Sequence, residues 1–419
     1  MSAAGLTVGA PELAPAPRSR LRPAQLWAAA LGVLAVVSLV RIVTGAQDLT
    51  SSGTLSAALG LAVPIGMAGL GGLWAERAGV VNIGLEGMLV LGTWGAGWAG
   101  YQYGPWAGVA AGVVLGALGG LLHAVATVTF GVDHIVSGVA INILAPGVAK
   151  YLSKVAFEGV PGGGPTQSPP IPSIGGFTLP GLPGLLAAVE KHGWFLVSDL
   201  AALLRAATTQ VSWLTVVAVT LVPLSYLVLW HTPFGLRLRS CGEHPVAAES
   251  LGVNVYRMKY AAVVVSGALA GLGGAFLAIV AAGIYRDGQT GGRGYIGLAA
   301  MIFGNWRPGG LAAGAGIFGF TDALQLRQAS SVHALLLLLA LTLLGLAGWH
   351  AVRRRRLAAV LSAVVGAAAL GWFLTTRQVP MELTTAAPYV TTLLVLALAS
   401  QRLRMPRADG RPYRRGQAE

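Results

Sequence analysis

HTPFGLRLRSCGEHPVAAESLGVNVYRMK, residues 231–259, is a basic, turn-rich interruption between two long apolar runs, Val211–Trp230 and Tyr260–Ala282. Such a stretch between such flanks reads as an aqueous loop joining two membrane crossings. Within it, Pro245 suits the first turn of a helix, where its missing N–H costs nothing, and Glu243 lies at the end that the helix dipole favours for an anion. Ala247, Leu251 and Val255 recur at the i, i+4, i+8 spacing of one helical face, while Gly252 and Asn254 are residues that end helices. The spacing predicts about two turns of helix, too short to persist in water without a surface to pack on. Held at a membrane face, a short helix with a small apolar side reads as a plug for a socket on another protein. The alternative is an ordinary solvated loop.

Composition extends that reading to the whole chain. Of 419 residues, 55% are hydrophobic and 10% charged, where soluble domains carry about 25% charged residues. Mean hydropathy is +0.69. Many stretches reach the length of about 18 residues with few or no charges that a membrane-crossing helix needs. The single Cys241 excludes a disulfide framework within the chain, and the scattered histidines lack metal-ligand spacing. No metal and no cofactor are expected.

Apolar runs place spans near residues 26–44, 54–74, 85–101, 105–128, 133–152, 211–230, 260–282, 294–305, 309–326, 332–350, 357–376 and 386–401. The expected fold class is therefore all-α, a polytopic membrane bundle of about ten to twelve transmembrane segments, some broken or re-entrant. The eighth run is too short to cross alone. Residues 1–25 read as a disordered basic cytoplasmic tail, 26–402 as the transmembrane domain and 403–419 as a second basic cytoplasmic tail. With both termini inside, Arg77, Arg237, Arg239, Arg257, Lys259, Arg307, Arg353–Arg356 and the terminal arginines fall on the inner face, in keeping with the positive-inside rule. The net charge of +13 is thus topological, and nucleic acid is not an expected partner.

Three polar groups stand out in the apolar chain. In Glu76–Gly87, Asn82 and Glu86 are four apart on one helical face. A carboxylate in hydrocarbon is expensive, so it faces a bundle interior or an aqueous path; the alternative for Glu86 is a structural partner for an arginine or a helix N-terminus. Glu76 and Arg77 read as solvated charges at the inner interface. Asp133 can cap the fifth span, while Ser137 and Asn142 project from it as candidate polar contacts in a cavity. Gly291–Gly310 has glycines around Arg293 that permit irregular backbone, and such backbone at membrane depth survives only when it is buried in protein or lines a cavity. Asn82, Glu86, Ser137 and Asn142 are the candidate substrate path, with Trp94, Trp98 and Trp106 as possible aromatic faces near its outer end.

Packing is announced by Gly108, Gly112, Gly116 and Gly120, which repeat every four residues and strip one helix face to backbone. Gly267 and Gly271 share that spacing. Ser153–Gln210 reads as a long outer loop, extended or turn-rich in its Gly/Pro/Ser half and amphipathic over Leu182–Ala207.

ERAGVVNIGLEGMLVLG (76–92), TPFGLRLRSCGEHPVAAESLGVNV (232–255), GRGYIGLAAMIFGNWRPGG (292–310) and PYVTTLLVLALASQR (388–402) with GRPYRRG (410–416) resemble the permease subunits of ABC importers for nucleosides. These belong to the larger branched-chain amino acid, ribose and simple-sugar permease family, and the resemblance covers residues 54–415 in order. It implies a type II importer-like fold in a bacterial plasma membrane. It also implies an assembly of two similar but distinct permeases, a cytoplasmic ABC ATPase and a surface-tethered substrate-binding lipoprotein, with membrane lipid around it. By the same resemblance, Glu243, Pro245, Ala247, Ala248, Leu251 and Gly252 belong to the segment that docks into the ATPase.

The residues agree with a passive role. No GxxxxGK[ST] phosphate cradle and no plausible nucleophilic triad occur in the chain, so an enzyme is not expected and energy must come from a partner ATPase or an ion gradient. An ion-coupled secondary transporter using Glu86 or Asp133 is the competing class.

Overall fold

The computed structural model describes residues 23–325, 329–376, 379–380 and 403–416. The tail before residue 23 and the expected last span at 386–401 lie outside these. In chain order the elements are α1 (Pro23–Thr44), α2 (Ser52–Arg77), α3 (Leu85–Tyr103), α4 (Pro105–Ala124), α5 (His134–Phe157), β1 (Gly176–Phe177), α6 (Leu182–Lys191), α7 (Val197–Thr208), β2 (Val211–Ser212), α8 (Trp213–His231), α9 (Pro233–Glu243), α10 (Pro245–Ser250), α11 (Val255–Phe276), α12 (Arg293–Phe303), α13 (Pro308–Gln325), α14 (Ala329–Val352) and α15 (Arg356–Thr375). Every expected span up to 357–376 falls on a helix. Seven helices among the described residues are long and apolar enough to cross a membrane, and the polytopic all-α fold class holds. The eighth expected span is the 11-residue α12, too short to cross alone, as its sequence predicts.

The centre of the bundle is α11, which packs on α2, α3 and α4. Glycine makes this possible. A Cβ at Gly116 would stand 2.3 Å from the Gly267 carbonyl oxygen and 2.5 Å from Gly271 Cα, and one at Gly120 would stand 2.5 Å from the Val263 oxygen. Gly112 faces the Gly92 oxygen of α3, and Gly108 the Ala96 oxygen, each at 2.8 Å from a would-be Cβ. The predicted stripe is therefore real and serves two neighbours, α3 toward its N-terminal end and α11 toward its C-terminal end. Both α4 and α11 end in a π-turn, at Val125–Thr129 and Leu277–Ala281.

The long loop after α5 is more ordered than its Gly/Pro-rich start suggests. β1 and β2 pair antiparallel, Gly176 with Ser212 and Phe177 with Val211, and between them α6 and α7 fold back on the ends of α1 and α2. Asp199 of α7 meets Arg41 of α1 at 3.0 Å with both side chains buried, and Glu190 of α6 accepts from the Ser52 N–H at 2.8 Å while pairing with Arg205. This cluster marks one end of the bundle. The other end gathers α9, α10, the end of α2 and the turn between α12 and α13.

Candidate translocation path and coupling face

Two helices break inside the bundle and meet head to head. After Arg77 the chain leaves α2 through Gly79 (φ +81°) and stays non-helical until α3 begins at Leu85. Yet Asn82 is fully buried, donating to Ser266 Oγ of α11 at 2.8 Å. Opposite it, the chain following α11 passes Gly283, Gly288, Gly291 and Gly292, all at positive φ, before α12 starts at Arg293. α3 and α12 thus present their N-termini to a common point, and Glu86 occupies it. Its Oε1 accepts from the Gly292 N–H at 3.0 Å and its Oε2 from the Gly294 N–H at 2.7 Å, while Glu86 itself sits in the first turn of α3. Each helix N-terminus carries about half a positive charge, so one carboxylate balances two helix ends. Gly294 has to be glycine here, since a Cβ would lie 2.6 Å from Glu86 Cα.

Non-helical backbone away from water needs every polar group satisfied, and side chains from α4, α5 and the break itself do this along residues 81–87. His134 Nδ1 accepts from the Val81 N–H at 3.2 Å. His123 Nε2 reaches the Val81 oxygen at 2.9 Å, and its Nδ1 lies 2.9 Å from Ser137 Oγ. These partners assign the Nε2–H tautomer to His123, with the Ser137 hydroxyl as donor. Asn142 works in both directions, giving its amide N–H to the Ile83 oxygen at 2.9 Å and accepting from the Gly87 N–H at 2.8 Å. Asn82 Oδ1 accepts from the Gly84 N–H.

The four path candidates are therefore brought together. Asn82, Glu86 and Asn142 brace the break directly, and Ser137 does so through His123. Sequence reasoning missed His123 and Ser266, which are isolated polar residues on apolar helices and have no meaning until the break is placed beside them. Of the tryptophans, Trp94 is buried, stacks on Trp98 at 6.1 Å and 8° and packs on Phe157, while Trp106 is exposed. Asp133 caps α5 as expected, accepting from the Ile135 and Val136 N–H groups.

At the end of the bundle that gathers α9 and α10, three expectations are corrected. Glu76 and Arg77 are not solvated: Glu76 is buried and accepts from Trp306 Nε1 at 2.5 Å, and Arg77 donates to the Trp306 carbonyl at 2.7 and 3.0 Å. They hold the α12–α13 turn, where Asn305 and Trp306 both adopt positive φ. Nor do Ala247, Leu251 and Val255 share one helical face. α10 stops at Ser250 because Gly252 takes φ +80°. Leu251 is 85% exposed beyond it, and Val255 is buried at the start of α11. Asn254 begins α11 rather than ending a helix, capping the Arg257 N–H at 3.0 Å. The segment also holds an additional helix, α9, capped by Thr232. Pro245 and Ala248 are the buried side of α10, with Ala248 packing against Cys241 and Val255; Ala247 faces out. Burial pushes the Cys241 thiol up to about 11, which leaves it an inert core group.

Residues 54–347 match the family described as branched-chain amino acid transport system / permease component. The chain is 33% identical over 367 residues to the guanosine ABC transporter permease protein NupQ of Bacillus subtilis, covering 86% of this chain and 96% of that one. It is 33% identical to the nucleoside ABC transporter permease protein NupC of Lactococcus lactis, covering 84% and 93%. It is also 33% identical to a putative glucose ABC transporter permease protein, TsgC13, of Haloferax volcanii, covering 68% and 80%. No solved structure gives a significant match. With its apolar helices, its paired breaks and a match running from α2 into α14, this chain belongs to the branched-chain amino acid transport system permease family of multi-pass membrane proteins.

Proposed function

We propose that the chain is the permease subunit of an ATP-driven importer for nucleosides or related simple sugars. It would form half of the path beside a second, similar permease, receive solute from a substrate-binding lipoprotein and be driven by a separate cytoplasmic ATPase. The observation that carries this reading is the inner-face platform: Leu251, exposed on the tight turn after α10, stands proud of a short helix whose other side is anchored by Pro245 and Ala248. A self-sufficient carrier has no use for such a knob. The relatives named for guanosine and nucleosides support the substrate class. Asn82, Glu86, Ser137 and Asn142 would shape the path by holding its broken helices, with solute passing beside them and making brief polar contacts.

An ion-coupled carrier built on Glu86 is the weaker reading, because both oxygens of that carboxylate are taken by backbone N–H groups. Proteoliposomes separate the two. With the lipoprotein, both permeases and the ATPase present, ATP should drive accumulation of a labelled nucleoside, and Leu251→Asp, Glu243→Arg or Gly252→Trp should abolish it while solute binding to the lipoprotein is unchanged. Gradient-driven accumulation by this chain alone refutes the proposal.

A further inference from the structure

Residues 404–416 are not a loose basic tail. They cross the inner face and touch each part of the machinery on it. The Arg404 N–H donates to Asn305 Oδ1 at 2.7 Å, in the α12–α13 turn. The Ala408 N–H donates to the Gly242 oxygen of α9 at 2.9 Å. Asp409 is buried beside Glu76, Arg77 and Lys259. Gly410 lies over Val81, and the Ala408 oxygen lies against Gly79. Further on, the Tyr413 hydroxyl donates to Glu249 of α10, and Arg415 Nε reaches the same carboxylate at 3.0 Å. The Tyr413 ring packs on Tyr256 with centroids 5.6 Å apart, and Lys259 Nζ lies 5.9 Å from that ring's centroid.

α10 has six residues and cannot hold its own position by helix stability. Glu249 is its polar handle, and both groups that grip that handle come from this segment. The same segment covers Gly79 and Val81, where the chain between α2 and α3 departs from helix. We propose that residues 404–416 are a transmission strap, with Tyr413 and Asp409 as positioning residues that tie the motion of α10 to the broken segment 78–84. The strap carries a displacement of α10 to the point where the Val81 backbone is held by His123 and His134. The proposal rests on the importer reading for the origin of that displacement, but not for the strap's grip on the break.

Two measurements on the full chain test it. The first is amide hydrogen exchange at residues 79–84 in purified protein, comparing wild type with Tyr413→Phe and Asp409→Asn. Tyr413→Phe should raise exchange there by about tenfold, as the loss of one hydrogen bond to a charged partner implies. Unchanged exchange overturns the proposal whether or not ATP drives uptake. The second is the ratio of nucleoside accumulated to ATP hydrolysed, read on complexes copurified through a tag on this chain. Tyr413→Phe should retain the ATPase and its turnover while that ratio falls several-fold; a wild-type ratio, or loss of the ATPase from the complex, refutes transmission. A wild-type complex with no ATP-dependent accumulation would instead remove the importer reading, and the exchange result would still decide the strap.

Discussion

Replacing Glu86 by glutamine exchanges one carboxylate oxygen for an NH2 group with nearly no change in volume, so its effect isolates charge and acceptor capacity. In the native chain the carboxylate receives the Gly292 and Gly294 N–H groups while standing between the N-termini of α3 and α12. Glutamine keeps one acceptor, and its amide nitrogen is turned on the second N–H, donor against donor. Leaving a buried donor unsatisfied costs about 1–3 kcal/mol, and losing the negative charge at a partly buried helix end costs up to about 2 kcal/mol. A combined loss of about 1–5 kcal/mol corresponds to roughly 5- to 5,000-fold faster local opening. The assay is amide exchange in detergent or nanodiscs, read at residues 292–296, with Glu190→Gln in α6 as the control. Exchange at Gly292 and Gly294 should rise within that range, and peptides from α14 and α15 should be unaffected. Gly294→Ala should reproduce the effect with the charge retained, since its Cβ would collide with the Glu86 backbone. Wild-type exchange at Gly292 and Gly294 in Glu86→Gln would show that the carboxylate does not hold the head-to-head junction.

Three further outcomes follow from other parts of the molecule. Gly116→Ala drives a methyl into the Gly267 carbonyl and should destabilise by about 1–3 kcal/mol, lowering the thermal midpoint, while Gly147→Ala on the open side of α5 should not; equal midpoints would contradict the close α4–α11 contact. Arg41→Met leaves the Asp199 carboxylate buried without its partner and should cost about 3–5 kcal/mol, seen as faster proteolysis of the α6–α7 segment, with Arg41→Met/Asp199→Leu recovering much of the resistance. Burial pushes the Asp409 carboxyl up from its ordinary 3.8 to about 7, so the docked strap binds its proton more tightly than a free one. Strap docking should therefore be strongest below about pH 4, weaken as pH rises to about 7 and stay level above that. Asp409→Asn should reduce the slope of the profile of amide exchange at 408–413, and the opposite slope in wild type would reject this assignment.

The spans were legible because hydrocarbon thickness imposes a length and a composition on each of them, and Gly108–Gly120 announced a close interface because a four-residue repeat is a helical face. The breaks were half legible. The glycines around Arg293 signalled irregular backbone, but the partner of Gly292 lies 206 residues away in Glu86, and no local pattern pairs them. Asn82 and Glu86 at i, i+4 suggested one helical face, whereas residues 78–84 are not helical, so the spacing placed two useful residues for the wrong geometric reason. Around α10, propensity ran past the glycine that stops the helix, and Leu251 emerged as a solitary projection instead of part of a stripe. The grip of Tyr413 and Arg415 on Glu249 was invisible because it joins a terminal segment to a loop more than 160 residues earlier.

The seam between α4 and α11 contains almost no side chain, and this limits how the two helices can shift. Where ordinary cores yield by rotating side-chain torsions, here main chain rests on main chain, with nothing soft to rearrange. Sideways separation would open a slot that no rotamer could fill, so the pair either travels as one body or slips lengthwise. Four-residue spacing makes the next matching register about 6 Å along the axis, and intermediate positions would bring side-chain-bearing residues against the opposite main chain. In any lengthwise slip the seam would act as a detent with discrete stops.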